Sequence, residues 1–215
     1  MDKAVIIVAG GKGTRMGTDI PKQFLEIDGT PILMHTIGRF YEYDRSMFIV
    51  VVLPPSQHDF WNQLKTKHNF VIPHIVCDGG EERFHSVLNG LSQIPSSCKL
   101  IAVHDGVRPY VSIDVIERCF KDADIHNAVI PTIDVVETIR HITPHGSHTV
   151  PRSEYKLVQT PQVFEATLLR KAYQQPYSPK FTDDASVIES LGHPITLVEG
   201  NRENIKITTK ADLYR

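Results

Sequence analysis

Four short apolar runs recur along this chain, each followed by a stretch with helical spacing. That alternation limits the fold more than any other feature. Val5 to Val8, Phe48 to Leu53, His74 to Cys77 and Leu100 to Val103 are the runs. The first is wholly β-branched, in the manner of a strand buried on both faces. After them, Leu33, Ile37, Phe40 and Tyr41, then Phe60, Trp61 and Leu64, then Phe84, Val87, Leu88 and Leu91, then Val115, Ile116 and Phe120 recur at helical spacing. Pro31 suits a first helical position, and Ser56 is a candidate helix cap. Strands alternating with helices predict an α/β fold with a doubly wound, mostly parallel, Rossmann-like sheet. The 215 residues read as one domain, 1–215.

Ligands of such sheets lie outside the carboxyl ends of the strands. Three polar junctions fall there and therefore converge on one side. At the first, Ala9 is followed by Gly10, Gly11 and Gly13, with the cations Arg15 and Lys22 close behind. Residues without a Cβ let backbone N–H groups close on an oxyanion, so the junction reads as a phosphate site. It is neither a Walker A loop, since Gly-x-x-x-x-Gly-Lys-Ser/Thr does not occur, nor a dinucleotide fingerprint, since Met16 stands where the third glycine belongs and Pro21 interrupts the following helix. The second junction is Asp78-Gly79-Gly80 with Arg83 and Ser86. The third is His104-Asp105-Gly106-Val107-Arg108-Pro109. There Asp105 can ligate Mg²⁺ or bind hydroxyls and Arg108 can grip a phosphate, or the two can form a structural ion pair.

After Pro131 the pattern changes. Ile133 to Val158 is rich in Thr, Val, Ile and His, with a turn at Pro144-His145-Gly146, and reads as an extended β-arm. An arm with little core of its own is expected to pack on a partner subunit. His141, His145 and His148 lie in it without a cysteine or carboxylate to complete a zinc site, and read as solvated turn residues. A helix is expected over Val163 to Tyr173, another over Asp184 to Leu191, a return to the sheet at Ile195 to Val198, and a terminal helix from Lys210.

A net charge of −2 argues against broad nucleic-acid binding, so a phosphate ligand needs a local cluster of cations. The three cysteines, Cys77, Cys98 and Cys119, are widely spaced and suit a reducing cytoplasm. No secretory pattern precedes the first strand, and no apolar run approaches the length of a membrane span.

GGKGTRMG followed by PKQF, with VHDGVRP, TPQ, TDDAS and EGNRENIKIT further on, resembles the nucleotidyltransferases that make CDP-linked alditols. The matches run in order along nearly the whole chain. The resemblance implies a nucleotidyltransferase-type fold and Mg²⁺-dependent transfer of CMP from CTP to a polyol phosphate, with 2-C-methyl-D-erythritol 4-phosphate as the preferred acceptor and ribitol 5-phosphate as the alternative. A CTP-binding sensor without turnover is the reading from a different class. The resemblance further implies catalysis by Arg15 and Lys22. CTP contacts would come from Ala9, Gly10, Gly11, Gly13, Arg15, Lys22, Gly79, Gly80, Arg83, Ser86 and Asp105. The polyol phosphate would meet Asp105, Arg108, Thr138, Arg152, Thr160, Thr182 and Lys206. Asp105 is the candidate metal ligand, the metal being otherwise held by CTP phosphates. A homodimer joined through the arm is implied as well.

Overall fold

The computed structural model describes residues 2–11 and 20–214, so the candidates Gly13 and Arg15 lie outside the described residues. The predicted strands form at β1 (Lys3–Val8), β4 (Phe48–Leu53), β5 (Ile75–Asp78) and β6 (Leu100–Asp105). They are mutually parallel in the order β6-β1-β4-β5. Side chains alternate between faces, as strand geometry requires. Val5, Ile7, Ile49 and Val51 enter one apolar layer with Leu33, Ile37 and Phe40 of α1 (Ile32–Tyr43) and with α4 (Ile113–His126). Ala4, Ile6, Val50 and Val52 enter the other, against Val87 and Leu91 of α3 (Arg83–Gln93). Burial on both faces explains why these runs read as continuous and not alternating.

Beyond β6 the sheet is mixed. β7 (Ala128–Asp134) pairs parallel with β12 (Thr196–Glu199) and antiparallel with β10 (Lys156–Val158) and β11 (Gln162–Glu165), and β11 fills the gap between β7 and β6. Here the sequence reading needs correction. The helix expected from Val163 begins at Ala166 as α5 (Ala166–Ala172), because Gln162, Val163 and Phe164 are buried between two strands. Ile133 and Asp134, and Lys156 to Val158, belong to the main sheet and not to an arm. The separate hairpin is β8 (Ile139–Thr143) with β9 (Gly146–Val150), whose residues are exposed or half-buried.

Smaller differences have local causes. Pro31 ends β3 (Thr30–Pro31), which pairs with β2 (Glu26–Ile27) across a turn where Asp28 and Gly29 take positive φ, and it precedes α1 instead of opening it. Ser56 lies in a 3₁₀ turn, and α2 (His58–Lys67) starts after Gln57 without a side-chain cap. The cap chemistry appears elsewhere: Ser112 Oγ accepts from the Val115 N–H of α4, and Asp183 with Ser186 forms a capping box on α6 (Asp184–Glu189). The chain closes in a 3₁₀ turn, Lys210–Tyr214, in place of a full helix.

Candidate active site at the carboxyl ends of the parallel strands

The three junctions converge because their strands run in one direction. The Ala9 N–H donates to the Val52 carbonyl, that of Gly79 to Leu53, and that of Gly106 to Val8, which locks the ends of β1, β4, β5 and β6 side by side. They enclose a cleft of about 490 Å³. Ala9, Gly10, Gly11, Lys22, Gly79, Gly80, Arg83, Ser86, Asp105 and Lys206 all line it. Two glycines are required by close approach. A Cβ on Gly80 would stand 2.3 Å from the His85 Cβ, and one on Gly106 would stand 2.8 Å from the Ala9 Cβ. The Gly80 N–H donates to Ser86 Oγ at 3.0 Å, so the second junction is folded onto the start of α3. Lys22 passes over the first junction, its Cε 3.4 Å from the position of a Cβ on Gly11.

Asp105 is the electrostatic centre. It is 8% exposed, and its Oδ2 meets Lys206 Nζ and Arg108 Nε, each at 3.1 Å. Burial alone would raise its pKa, but Lys206, Arg83 and Arg108 outweigh burial and hold the carboxyl well below the usual carboxylate range. The loop behind it is fixed by a chain of hydrogen bonds. His104, fully buried beneath Phe40, has Nε2 at 3.1 Å from the Arg108 carbonyl and Nδ1 at 3.0 Å from Thr160 Oγ1. A carbonyl can only accept, so Nε2 carries the proton and Nδ1 accepts from the Thr160 hydroxyl. Thr160 Oγ1 in turn accepts from the Asp105 N–H at 3.1 Å. Burial pushes the His104 imidazole down to about 4, so it is neutral at pH 7.

Arg83 is committed in a similar way. Its guanidinium forms a bidentate pair with Asp184, at 2.9 and 2.6 Å, and the Tyr173 hydroxyl donates to the same carboxylate at 2.6 Å. Burial opposes the charge on Arg83, but Asp184 outweighs it and keeps the group above the ordinary arginine value. Burial and the Asp184 charge both push the Tyr173 phenol up.

The remaining candidates are not brought into the cleft. Thr160 is buried one layer beneath it with its hydroxyl engaged by His104 and Asp105. Arg108 joins through Asp105 and donates to the Asn204 carbonyl at 2.7 Å. Thr182 is exposed just before α6. Thr138 and Arg152 are exposed near the β8–β9 hairpin, where Arg152 donates to the Val136 carbonyl. Sequence reading passed over Gln23, His104, Asp184 and Asn204, which the structure makes the buried polar frame of the site. Their signal lay inside the quoted strings PKQF, VHDG, TDDAS and ENIK, where each stands between a charged residue and an apolar one. In the hairpin, His141 and His148 lie directly opposite, ring centroids 5.1 Å apart, so they share a face. Among the described residues no three His, Cys, Asp or Glu side chains come together in a metal-binding group.

Comparison with known proteins bears on this geometry directly. The sequence profile of IspD, 2-C-methyl-D-erythritol 4-phosphate cytidylyltransferase, matches residues 3–215. The chain belongs to this family. Among curated relatives, the Bacteroides thetaiotaomicron 2-C-methyl-D-erythritol 4-phosphate cytidylyltransferase is 60% identical over 99% of this chain and 97% of its own. The Porphyromonas gingivalis protein of the same name is 49% identical over 97% and 93%. Among solved structures, the Francisella tularensis cytidylyltransferase of that name superposes with a TM-score of 0.81 at 35% identity, covering 100% of this chain and 97% of its own. The match extends over nearly the whole chain, and the likeness to the solved structure is one of overall fold.

Proposed function

We propose that this chain transfers CMP from CTP to 2-C-methyl-D-erythritol 4-phosphate, releasing pyrophosphate, as a step of isoprenoid biosynthesis. The observation that carries the proposal is that the glycine turn with Lys22 and the Asp105–Lys206 pair line one cleft. One end offers backbone N–H groups and a cation to a triphosphate, and the other offers a carboxylate and a cation to a polyol phosphate.

The acceptor phosphate oxygen attacks the α-phosphorus of CTP. The new O–P bond forms as the bond to the β-phosphate bridging oxygen breaks, and that oxygen keeps the electron pair and leaves as pyrophosphate. A phosphate monoester, with a second pKa of roughly 6, is already mostly ionised at neutral pH, so the step needs no general base. His104 is unsuited to be one, since both its ring nitrogens are engaged and it is sealed from the cleft. Rate enhancement then rests on alignment and on cations placed where charge develops. Lys22 and Arg15 serve the triphosphate, and Lys206, with Arg108 behind Asp105, serves the acceptor. Gly79, Gly80 and Ser86 receive the base and ribose, and Arg83, held by Asp184, lines the cleft on the nucleotide side.

Members of this family are divalent-metal enzymes, and Mg²⁺ is the ion proposed here. Both cations at Asp105 contact Oδ2, and a carboxylate has a second oxygen able to ligate. With no cluster of three ligands among the described residues, the residues fit an ion carried mainly by the nucleotide and touched by Asp105. When bound, it neutralises triphosphate charge.

Exposed apolar side chains at Val136, Ile142, Tyr155, Leu157, Val158 and Leu197 gather on the hairpin and the adjoining sheet edge, which supports a homodimer joined there. In that dimer Thr138 and Arg152 of one subunit complete the acceptor site of the other. No described helix is long and apolar enough to cross a membrane, and a cytoplasmic location is proposed with the activity. The test is pyrophosphate release from Mg²⁺-CTP with methylerythritol phosphate and ribitol 5-phosphate in parallel. Preference for the first is expected. Preference for the second would move the acceptor assignment, and release with neither would overturn the enzymatic reading.

A further inference from the structure

Gln23 is 1% exposed and stands directly after Lys22. Its Nε2 donates to the Ala9 carbonyl at 2.6 Å and to Gln57 Oε1 at 2.6 Å. Both protons of its amide are thereby used, and the acceptors belong to two different segments that line the cleft. Ala9 begins the glycine turn after β1, and Gln57 ends the Pro54-Pro55-Ser56-Gln57 wall after β4. The first bond also joins the two ends of the glycine-rich loop across a sequence separation of 14. The Ala9 carbonyl lies on a residue only 3% exposed, so it depends on a protein donor.

The orientation of this amide is not arbitrary. Gln23 Oε1 is buried without a hydrogen-bond partner among the described residues. Turning the amide over would set that oxygen against the Ala9 carbonyl, so the fold leaves an acceptor unsatisfied to aim both donors at the two segments. A side chain serving only as filler would not require that orientation.

We infer that Gln23 is a positioning residue for nucleotide binding, a two-donor clamp that ties the glycine turn after β1 to the segment after β4 and sets the place of the neighbouring Lys22. Gln57 acts with it through their shared hydrogen bond. The inference rests on reading the cleft as the CTP site, and direct CTP binding separates its failure from failure of that reading.

The experiment measures equilibrium CTP binding and steady-state kinetics for Gln23→Met, Gln57→Met and the double variant of the full-length protein, with thermal unfolding of each. Loss of both donors in Gln23→Met is expected to weaken CTP binding about 10-fold or more, and loss of one acceptor in Gln57→Met about 3-fold. The double variant should match Gln23→Met, because the two residues act through one shared hydrogen bond. KM for the acceptor should stay near the wild-type value, since Asp105 and Lys206 are held by other bonds. CTP binding by Gln23→Met within about 2-fold of wild type would overturn the inference, as would additive losses in the double variant. A parallel rise in the KM of both substrates, together with early melting, would equally overturn it and reduce Gln23 to a structural residue. If the wild type binds CTP but releases no pyrophosphate with either acceptor, the clamp still stands on the binding data while the proposed reaction falls.

Discussion

The cleft and the β8–β9 hairpin carry residues assigned to the same reaction, yet they are built on opposite terms. In the cleft, key groups are held by contacts distant in sequence. The Asp105 carboxylate is held by Lys206 and its backbone N–H by Thr160, the Arg83 guanidinium by Asp184, and the Gln23 amide by Ala9 and Gln57. Around the hairpin, Thr138 and Arg152 are exposed, and two strands of five residues pair, among the described residues, only with each other. An isolated hairpin is marginal in water, so its form depends on what covers it. The contrast fits the proposal that one chain pre-organises the nucleotide side of the site, while a second subunit's hairpin would finish the acceptor side.

The largest expected effect probes the buried frame of the cleft through pH. The His104 ring is pushed down to about 4 in the folded protein, against about 6.5 in an unfolded chain. As pH falls through that window the unfolded chain takes the proton first, so stability is full above about 6.5 and is lost down to about 4. The loss is about 3 kcal/mol at roughly 1.4 kcal/mol per pKa unit, measured by urea unfolding across the window. His104→Gln should start less stable and flatten the profile over that range. Asp105 adds a further loss below about 4, the range in which its unfolded carboxyl protonates while the folded one stays ionised.

Next in size is Lys22→Ala, expected to lower kcat about 10²-fold or more by removing one transition-state donor. Near-normal turnover would remove Lys22 from the chemistry. Asp184→Asn breaks a buried pair and leaves Arg83 without its counter-charge. With Arg83 partly open to solvent, the expected loss is about 2 kcal/mol, less than for a sealed pair, read from the urea midpoint. An unchanged midpoint would show that Arg83 re-solvates freely. The hairpin should answer differently: Thr138→Ala with Arg152→Ala should raise the acceptor KM about 10-fold, leaving CTP binding and the melting temperature nearly unchanged. If CTP binding falls instead, the division between the two regions is wrong. The smallest effect belongs to His141→Ala, a surface change expected to cost less than about 0.5 kcal/mol.

The cleft was legible in the sequence because its logic is topological. Strands that run the same way end on the same side, so glycines and charges after Val8, Asp78 and the His104-Asp105 pair must meet. What was not legible is which polar residues face the substrates and which brace those that do. Thr160 carries the hydroxyl a polyol contact needs, but it lies in a two-residue slip between β10 and β11 along β7, and its hydroxyl is taken up by His104 and the Asp105 N–H. Asp184 looked like part of a threonine motif until a residue 101 positions away proved to be its partner. The short strand Gln162–Glu165 was hidden for another reason: four residues cannot display a period, and the helix that follows supplied the wrong one.

The claim that two subunits share one acceptor site is tested most directly by complementation. Lys22→Ala protein and Thr138→Ala/Arg152→Ala protein are unfolded together, refolded as a mixture, and assayed for pyrophosphate release with methylerythritol phosphate held below its KM. If the hairpin acts across a two-fold dimer, each mixed dimer regains one intact site, and activity rises to about a quarter of wild type, well above either parent. Activity no greater than the average of the two parents would mean that Lys22 and the hairpin serve the same chain, and would contradict this account.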